Sequence, residues 1–314
     1  MDDRVAILLC TYNGEKYLRE QIESIINQTY TNFICYIHDD GSQDHTQEIL
    51  REYEEKWTEK IKVLRYENKD HGANYNFSSV LKYAVNNVNE RYYMLCDQDD
   101  IWLPRKVEET LKAIKVHEKD QTKPVLVYCD QKIVDGDLKI LYYSNSELIR
   151  RTRKDMSLKR IIFRNIASGC CMGFNRNLLV EAYGKVDVEN TTMHDWWIML
   201  VAKAIGIVDF IPQSLMLYRQ YGANTLGVDN NCYLRKAVKY IKSFRKSVNR
   251  RSEQVKRCIQ QAFELKRILH EKNIEIDDIN FLYDTMKCKK FKRTISLLRN
   301  GYIAGDNLFT LFFV

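Results

Sequence analysis

An α/β fold is predicted for the first two thirds of the chain, with helices packed on a largely parallel sheet. Three observations predict it. Up to about residue 100, short apolar runs alternate with stretches whose apolar residues recur at helical spacing. Each of those runs stops abruptly in a polar turn, as strands do where a connection begins. The charge balance then changes near residue 230, where the alternation has already given way to helical periodicity alone. Residues 232–300 hold 19 Lys and Arg against 7 Asp and Glu, a net charge of +12, whereas the first 231 residues hold 30 against 34. The expected organisation is therefore an α/β domain over residues 1–228 and a basic, helical C-terminal extension over residues 229–314.

In order along the chain, Val5–Cys10 reads as the first strand. A helix over Glu15–Asn27 follows, with Leu18, Ile22, Ile25 and Ile26 on one face. Phe33–Asp39 is the second strand, and Asp44 is placed to cap a helix carrying Ile49, Leu50 and Tyr53 inward. Ile61–Arg65 is the third strand, and a helix with Phe77, Val80, Leu81, Ala84 and Val88 leads to the fourth, Tyr92–Cys96. Beyond it the alternation loosens. Val125–Cys129 reads as a strand, Asp135-Gly136 as a hairpin turn, Leu158–Phe163 as helix and Gly169–Phe174 as extended chain. His194–Ile205 reads as helix, and Ile207–Ile211 and Leu215–Tyr218 as two short strands.

Composition narrows the class. Hydrophobic residues make up 45% and charged residues 29%, the balance of a soluble globular protein. The most apolar long segment, Trp196 to Ile211, is interrupted by Lys203 and Asp209, and nothing reaches the ~20 apolar residues of a membrane span. The N-terminus lacks the pattern of a signal peptide. Nine cysteines form no C-x-x-C pair, and several end strand-like runs, where buried free thiols are common. This usage suits a reducing, cytoplasmic setting. The acidic body and the absence of a recognition motif speak against nucleic acid.

The chemistry concentrates at three strand ends. After Cys96 come Asp97-Gln98-Asp99-Asp100. In extended chain Asp97 and Asp99 point to one side and Gln98 and Asp100 to the other. Carboxylates so placed suit a hard cation, Mg²⁺ or Mn²⁺, which takes its remaining ligands from water and phosphate. Ligands of open α/β sheets bind outside the carboxyl ends of the strands. The plainer reading is an acidic turn leading into a helix with Pro104 in its first turn. After the second strand come Asp39-Asp40-Gly41-Ser42-Gln43-Asp44, where a carboxylate can accept the N3–H of a pyrimidine; a turn with a helix cap explains the same residues. Thr11-Tyr12-Asn13-Gly14, after the first strand, offers backbone and hydroxyl contacts to a ribose or base.

These three loops, in this order, resemble the inverting glycosyltransferases of family 2, which have the GT-A fold, a Rossmann-like domain for nucleotide-diphospho-sugars. The matching residues are Thr11 to Leu18, Asp39 to Asp44 and Asp97 to Asp100. Further on, Ser168-Gly169-Cys170 with Phe174-Asn175-Arg176 resembles the acceptor-side loop, His194-Asp195-Trp196-Trp197 the region of the catalytic base, and Tyr218-Arg219-Gln220-Tyr221 with Asn224 the late motif near the diphosphate. The likeness covers roughly residues 4–227 and within the family is greatest to bacterial rhamnosyltransferases of cell-surface polysaccharide synthesis. One departure is Tyr221, where those relatives often have His.

The resemblance implies a UDP- or dTDP-linked sugar donor, a glycan, lipid-linked or protein-linked acceptor, and Mn²⁺ or Mg²⁺ as cofactor. It implies donor contacts at Thr11, Tyr12, Asn13, Glu15, Asp39, Asp40, Asp97, Gln98 and Arg219, the last with a surface salt bridge as the alternative. The metal falls to Asp97 and Asp99, and the catalytic base to Asp195, oriented by His194. Asp100, Trp102, Gly169, Cys170 and Trp196 are expected to shape the sugar and acceptor side. The competing readings are a sugar-phosphate nucleotidylyltransferase, which needs a Gly-rich basic loop after the first strand, and a non-catalytic nucleotide-sugar-binding subunit of a membrane assembly. The basic extension suits an anionic membrane surface on the cytoplasmic side, or packing in a homodimer.

Overall fold

The computed structural model describes residues 3–118, 122–148, 157–221 and 236–302, with side chains of the last stretch described from residue 251. The first apolar run becomes β1 (Val5–Thr11), buried along its whole length. A strand covered on both faces is apolar throughout instead of alternating. It is followed by α1 (Leu18–Ile26), β2 (Phe33–Asp39), α2 (Thr46–Lys56), β3 (Ile61–Leu64), α3 (Ala73–Asn87) and β4 (Tyr92–Cys96). β1 pairs in parallel with β2 on one side and β4 on the other, and β2 pairs in parallel with β3. The chain thus winds outward from β1 to β3, then returns to lay β4 against the opposite edge of β1. The order reverses between β1 and β4, and such a switch point opens a crevice at the strands' carboxyl ends. Those ends are Thr11 and Cys96.

The elements that follow are β5 (Ile101–Trp102), α4 (Lys106–His117), β6 (Val125–Val134), β7 (Ile140–Tyr142), α5 (Asn145–Leu148), α6 (Leu158–Phe163), β8 (Met172–Asn175), α7 (Arg176–Tyr183), α8 (His194–Ile205) and β9 (Ile207–Arg219). They extend the sheet to the order β3-β2-β1-β4-β8-β6-β9-β5, with β7 on β6. β8 runs antiparallel to both β4 and β6. The sheet is therefore parallel over its first half and mixed over its second, where the sequence periodicity had already loosened.

Four local differences from the sequence reading have physical causes. The first helix starts at Leu18, not Glu15, because Gly14 O accepts the first turn's N–H groups from Tyr17 and Leu18. Asp44 does not stand at the cap position of α2; its carboxylate accepts from Thr46 N at 3.0 Å and from Glu15 N at 3.1 Å, joining two loops. The two short strands after Gly206 are one strand, β9. Its Pro212 and Gln213 bulge out where Cys129 and Asp130 of β6 pair with Ile211 and Ser214, a position that tolerates a residue without N–H. β6 runs on to Val134 through the polar Asp130, which is buried and satisfied by Ser144 and Ser146.

The described chain divides into two compact units. One holds the sheet; the other comprises, among the described residues, 157–166, 189–192 and 236–302. This second unit contains α6, α9 (Lys236–His270), α10 (Asp277–Met286) and α11 (Lys290–Arg299). Val255, Cys258, Ile259, Ala262, Leu265 and Leu269 of α9 are buried at helical spacing, as are Ile161 and Ile162 of α6 and Leu282 of α10. The expected boundary at residues 228 and 229, Asn224 and the apolar run Leu308 to Val314 lie outside the described residues.

Gly173 on β8 marks how closely α4 is seated on the sheet: a Cβ there would lie 2.4 Å from Thr110 Cγ2. Gly173→Ala is expected to lower unfolding free energy by about 1–3 kcal/mol, and Thr110→Ser in the same chain, which removes that methyl, to restore most of it. Urea melts check this; equal stability of Gly173→Ala and the parent would contradict the packing.

Candidate active site

Three loops meet at the switch point and are tied to each other by their own side chains. The Gln98 amide accepts from Thr11 Oγ1 at 2.6 Å and Tyr12 N at 2.8 Å, and donates to Tyr12 O at 3.1 Å. Asn13 N donates to Ser42 Oγ at 2.7 Å, and the Asn13 side chain accepts from Gln43 N at 2.9 Å. The Glu15 carboxylate accepts from His45 N at 3.1 Å. Gly14 has no room for a side chain, since a Cβ would meet Gln98 Oε1 at 2.6 Å and Thr11 Oγ1 at 2.7 Å. Gln98, Asn13 and Glu15, read from sequence as donor contacts, thus hold the loops in register. Tyr12 is 54% exposed and leaves its ring free for a ligand.

Beside these loops lies a cavity of about 680 Å³, lined among others by Asp39, Asp40, Arg65, Tyr66, Asn68 and His71. Asp40 is buried and committed: it accepts from Asn68 Nδ2 at 2.9 Å, His71 Nδ1 at 3.2 Å and Gly72 N at 2.8 Å. Asp39 is half-buried and accepts from Ser42 N at 2.9 Å, from Ser42 Oγ and from Gln47 Nε2 at 2.5 Å. Of the pair, Asp39 is the less buried.

The acidic cluster follows the end of β4. The strand stops at Cys96 and the chain turns, so strict alternation does not extend through residues 97–100. Asp97, Asp100 and Cys170 bring their ligand atoms within 4.8 Å of one another. The Asp99 carboxylate instead accepts from Tyr221 Oη at 2.6 Å. Burial, then the charge of Asp99, with Asp195 adding to them, pushes the Asp97 carboxyl up to about 7. Asp99 is also raised by burial, even though Tyr221 and Arg219 oppose the shift. Asp100 is raised well above the carboxylate range by burial and by its two neighbours. Its Oδ1 accepts from Arg219 N at 3.1 Å, while Oδ2 is buried without a hydrogen-bond partner. Carboxyl oxygens crowded together in this way, one of them buried without a partner, fit a divalent cation, which would offset their repulsion and fill the orphaned position.

Arg219 is 1% exposed and fully engaged. It donates to Asp99 O at 2.9 Å, Gly136 O at 2.7 Å and Glu20 Oε2 at 2.6 Å, and lies over the Tyr17 ring. It is a buried clamp behind the acidic turn. Lys106, which the sequence reading passed over, is equally buried. Its ammonium donates to Cys170 O at 2.7 Å and lies 4.7 Å from the centre of the Trp102 ring. Trp102 is itself 2% exposed. The available signal for Lys106 was its place in the first turn of α4 directly after the acidic loop; nothing in its spacing marked it as buried.

Asp195 lies in the first turn of α8, where the helix dipole favours a carboxylate. It is 8% exposed, accepts from Trp196 N at 2.6 Å and is near enough to Asp97 to raise that carboxyl. His194 stacks on Phe77 with ring centres 4.1 Å apart, and burial alone pushes its pKa down to about 3, so the ring is neutral. A Cβ on Gly169 would lie 2.8 Å from His194 Nε2, so the glycine lets the loop and the ring meet. Trp196 and Trp197 are both buried, and Trp197 Nε1 donates to Ala182 O at 2.7 Å. The structure therefore brings Asp97, Asp99, Asp100, Gly169, Cys170, His194 and Asp195 to one place and seats Asp39 at the neighbouring cavity.

Residues 6–182 match the family described as glycosyl transferase family 2. A dTDP-rhamnosyl transferase, RfbG of Shigella flexneri, is 26% identical over 227 residues, covering 70% of this chain and 74% of that one. An uncharacterised glycosyltransferase of Rickettsia typhi is 28% identical over 222 residues, 70% of this chain; the match spans 65% of that relative's length. Among solved structures, S. aureus TarS in complex with UDP-GlcNAc superposes with a TM-score of 0.52 at 17% identity, over 94% of this chain and 79% of that one. GalNAc-T7 with UDP, GalNAc and Mn²⁺ superposes with a TM-score of 0.53 at 17% identity, over 86% and 54%. These likenesses show the fold, the GT-A arrangement anticipated from the loop order.

The neutral His194 makes a pH prediction. Between pH 3 and 6.5 the unfolded chain binds a proton that the buried ring refuses. Its contribution to stability is full above about pH 6.5 and is lost as pH falls, with a limiting slope of about 1.4 kcal/mol per pH unit. Asp97, raised to about 7, titrates in the same window with the opposite sign in both proteins. Urea melts between about pH 5 and 7 are therefore expected to show the parent losing stability relative to His194→Gln as pH falls. Identical slopes in the two proteins would contradict a buried neutral ring.

Proposed function

The chain belongs to glycosyl transferase family 2, and from that premise we propose that it transfers a sugar from a nucleoside-diphosphate sugar to an acceptor hydroxyl with inversion at the anomeric carbon. The observation that carries this reading is the convergence of Asp97, Asp100 and Asp195 at the β1–β4 switch point, next to the cavity bordered by Asp39. The nucleotide lies in that cavity, with its base at Asp39 and its ribose near Thr11 and Tyr12. Asp97 and Asp100, with Asp99 beside them, would hold Mn²⁺ or Mg²⁺, which supplies charge neutralisation for a leaving diphosphate.

Asp195 takes the proton from the acceptor hydroxyl as its oxygen bonds to the anomeric carbon and the diphosphate oxygen departs. His194, neutral and stacked on Phe77, cannot compete for that proton and serves to position the loop at Gly169. The donor is a dTDP- or UDP-linked hexose or rhamnose. The name of the Shigella relative supports the dTDP-rhamnosyl choice. The acceptor is a glycan, lipid-linked or protein-linked hydroxyl of a cell-surface polymer. The nucleotidylyltransferase and non-catalytic alternatives gain nothing from the family match.

Asp195→Ala is expected to lower donor turnover about 10²–10⁴-fold while donor binding and the melting profile persist. Release of UDP or dTDP from a panel of sugar donors measures it, and parental turnover by a folded Asp195→Ala would sink the assignment.

The basic second unit extends the proposal to the cytoplasmic face of an anionic membrane. No described helix is long and apolar enough to cross a membrane. On α11, Phe291 is 77% exposed and flanked by lysines 289, 290 and 292, a pattern suited to the headgroup region. The full chain is expected to float with anionic liposomes, and Phe291→Ser with Lys292→Glu to stay behind. Equal flotation of both would remove Phe291 and Lys292 as the contact, and flotation of neither would leave self-association through these helices as the role of the unit.

A further inference from the structure

The residues that lead the chain toward Asp195 are fastened by the helical unit. Glu189–Thr192 group with that unit, and the chain leaves it at Met193. On α9, Gln261 is fully buried, on the face that also buries Cys258, Ala262 and Leu265. Its Oε1 accepts from Thr192 N at 2.9 Å. Beside it, Gln260 Nε2 donates to Asn190 Oδ1 at 2.6 Å, and Asn190 Nδ2 donates to Glu264 Oε2 at 3.2 Å. Glu264 is buried and held in turn by Arg267 at 2.6 Å. Past Thr192 the path is short. Met193 is extended, its carbonyl accepts from Trp197 N at 2.9 Å, and His194 and Asp195 already lie in the first turn of α8. Gln261 carries a cost for its one bond: its Nε2 is buried without a partner, which an apolar side chain would avoid. What the glutamine adds over such a side chain is the hold on Thr192 N.

We propose that Gln261 is a positioning residue for sugar transfer: through Thr192 N it fixes the start of α8 and with it the place of the Asp195 carboxylate. The proposal rests on the reading of Asp195 as the base that takes the acceptor's proton. Such a base must lie within hydrogen-bond reach of that proton, and a displacement of about 1 Å can cost about 10²-fold in rate. The donor contacts proposed at Asp39 and Asp97 follow β2 and β4 and do not pass through this anchor. Loosening it therefore lowers turnover and leaves donor affinity in place.

The test compares the full chain with its Gln261→Met variant, first by hydrogen exchange of the segment 189–197. The parent is expected to protect the Thr192 amide, and Gln261→Met to expose it while β1 and β4 stay protected. Release of UDP or dTDP from the accepted sugar donor is then expected to show kcat lowered about 10–100-fold, with donor KM within about twofold of the parent. Gln261→Glu, which keeps the acceptor oxygen, recovers most of that kcat. Because Gln261 acts through Asp195, adding Gln261→Met to Asp195→Ala lowers kcat no further. A Thr192 amide that exchanges freely in the parent overturns the proposal and needs no variant to fold. Parental kcat in folded Gln261→Met, or a loss that multiplies with that of Asp195→Ala, overturns it as well. Parental turnover by folded Asp195→Ala is a different failure: it removes the base, and this proposal with it, whatever the exchange data show.

Discussion

Crowding the carboxyls of Asp97, Asp99 and Asp100 together at the end of β4, with Asp100 buried and the other two half-buried, is the constraint that organises this molecule. Each ion taken out of water costs several kcal/mol unless it is compensated, and all three carboxyls respond by rising in pKa. Compensation comes from distant parts of the chain. Arg219 reaches in from the end of β9, bonding the Asp100 carboxylate through its backbone and the Asp99 carbonyl through its guanidinium. Glu20 and Gly136 hold the other side of that guanidinium, and Tyr221 holds the Asp99 carboxylate. What stays uncompensated is one oxygen of Asp100 and the mutual repulsion of the cluster. That residue of unmet charge is what fits the cation proposed for this turn.

The same loops are rigid for a separate reason. Three segments, after β1, β2 and β4, are fastened by side chain to backbone bonds through Gln98, Asn13, Ser42, Asp44 and Glu15. Preorganisation of this kind lets polar groups meet developing charge without reorganising at the moment of reaction. It also divides labour within each motif. In Asp39-Asp40, Asp40 fixes the next loop while Asp39 faces the cavity. In Asp97 to Asp100, Gln98 fastens the loops while the carboxyls gather at the site.

The first half of the fold was legible because buried parallel strands write themselves as unbroken apolar runs, as in Val5–Thr11 and Tyr92–Cys96. The second half was not. β6 continues through Asp130 because Ser144 and Ser146 satisfy it, and β9 continues through a bulge at Pro212; both depend on partners that no local pattern announces. At the site, the motif order indicated which loops converge. It did not separate Gln98 and Arg219, which hold the loops, from Asp39 and Asp97, which face the site. Extended chain past Cys96 would put Asp97 and Asp99 on one side, but the backbone already turns there. Lys106 and Cys170 were invisible as a contact, since 64 positions separate them.

The most direct test of the central claim is a thermal-shift screen of the full chain with UDP, dTDP and their sugar conjugates, each with and without Mn²⁺. A ligand that binds only the native state raises the melting temperature. A cation-dependent rise with one nucleotide, lost in Asp97→Asn, is the predicted result. No shift with any of these ligands in the folded protein, with or without the ion, would contradict the reading of the crowded carboxyls as a nucleotide-sugar site.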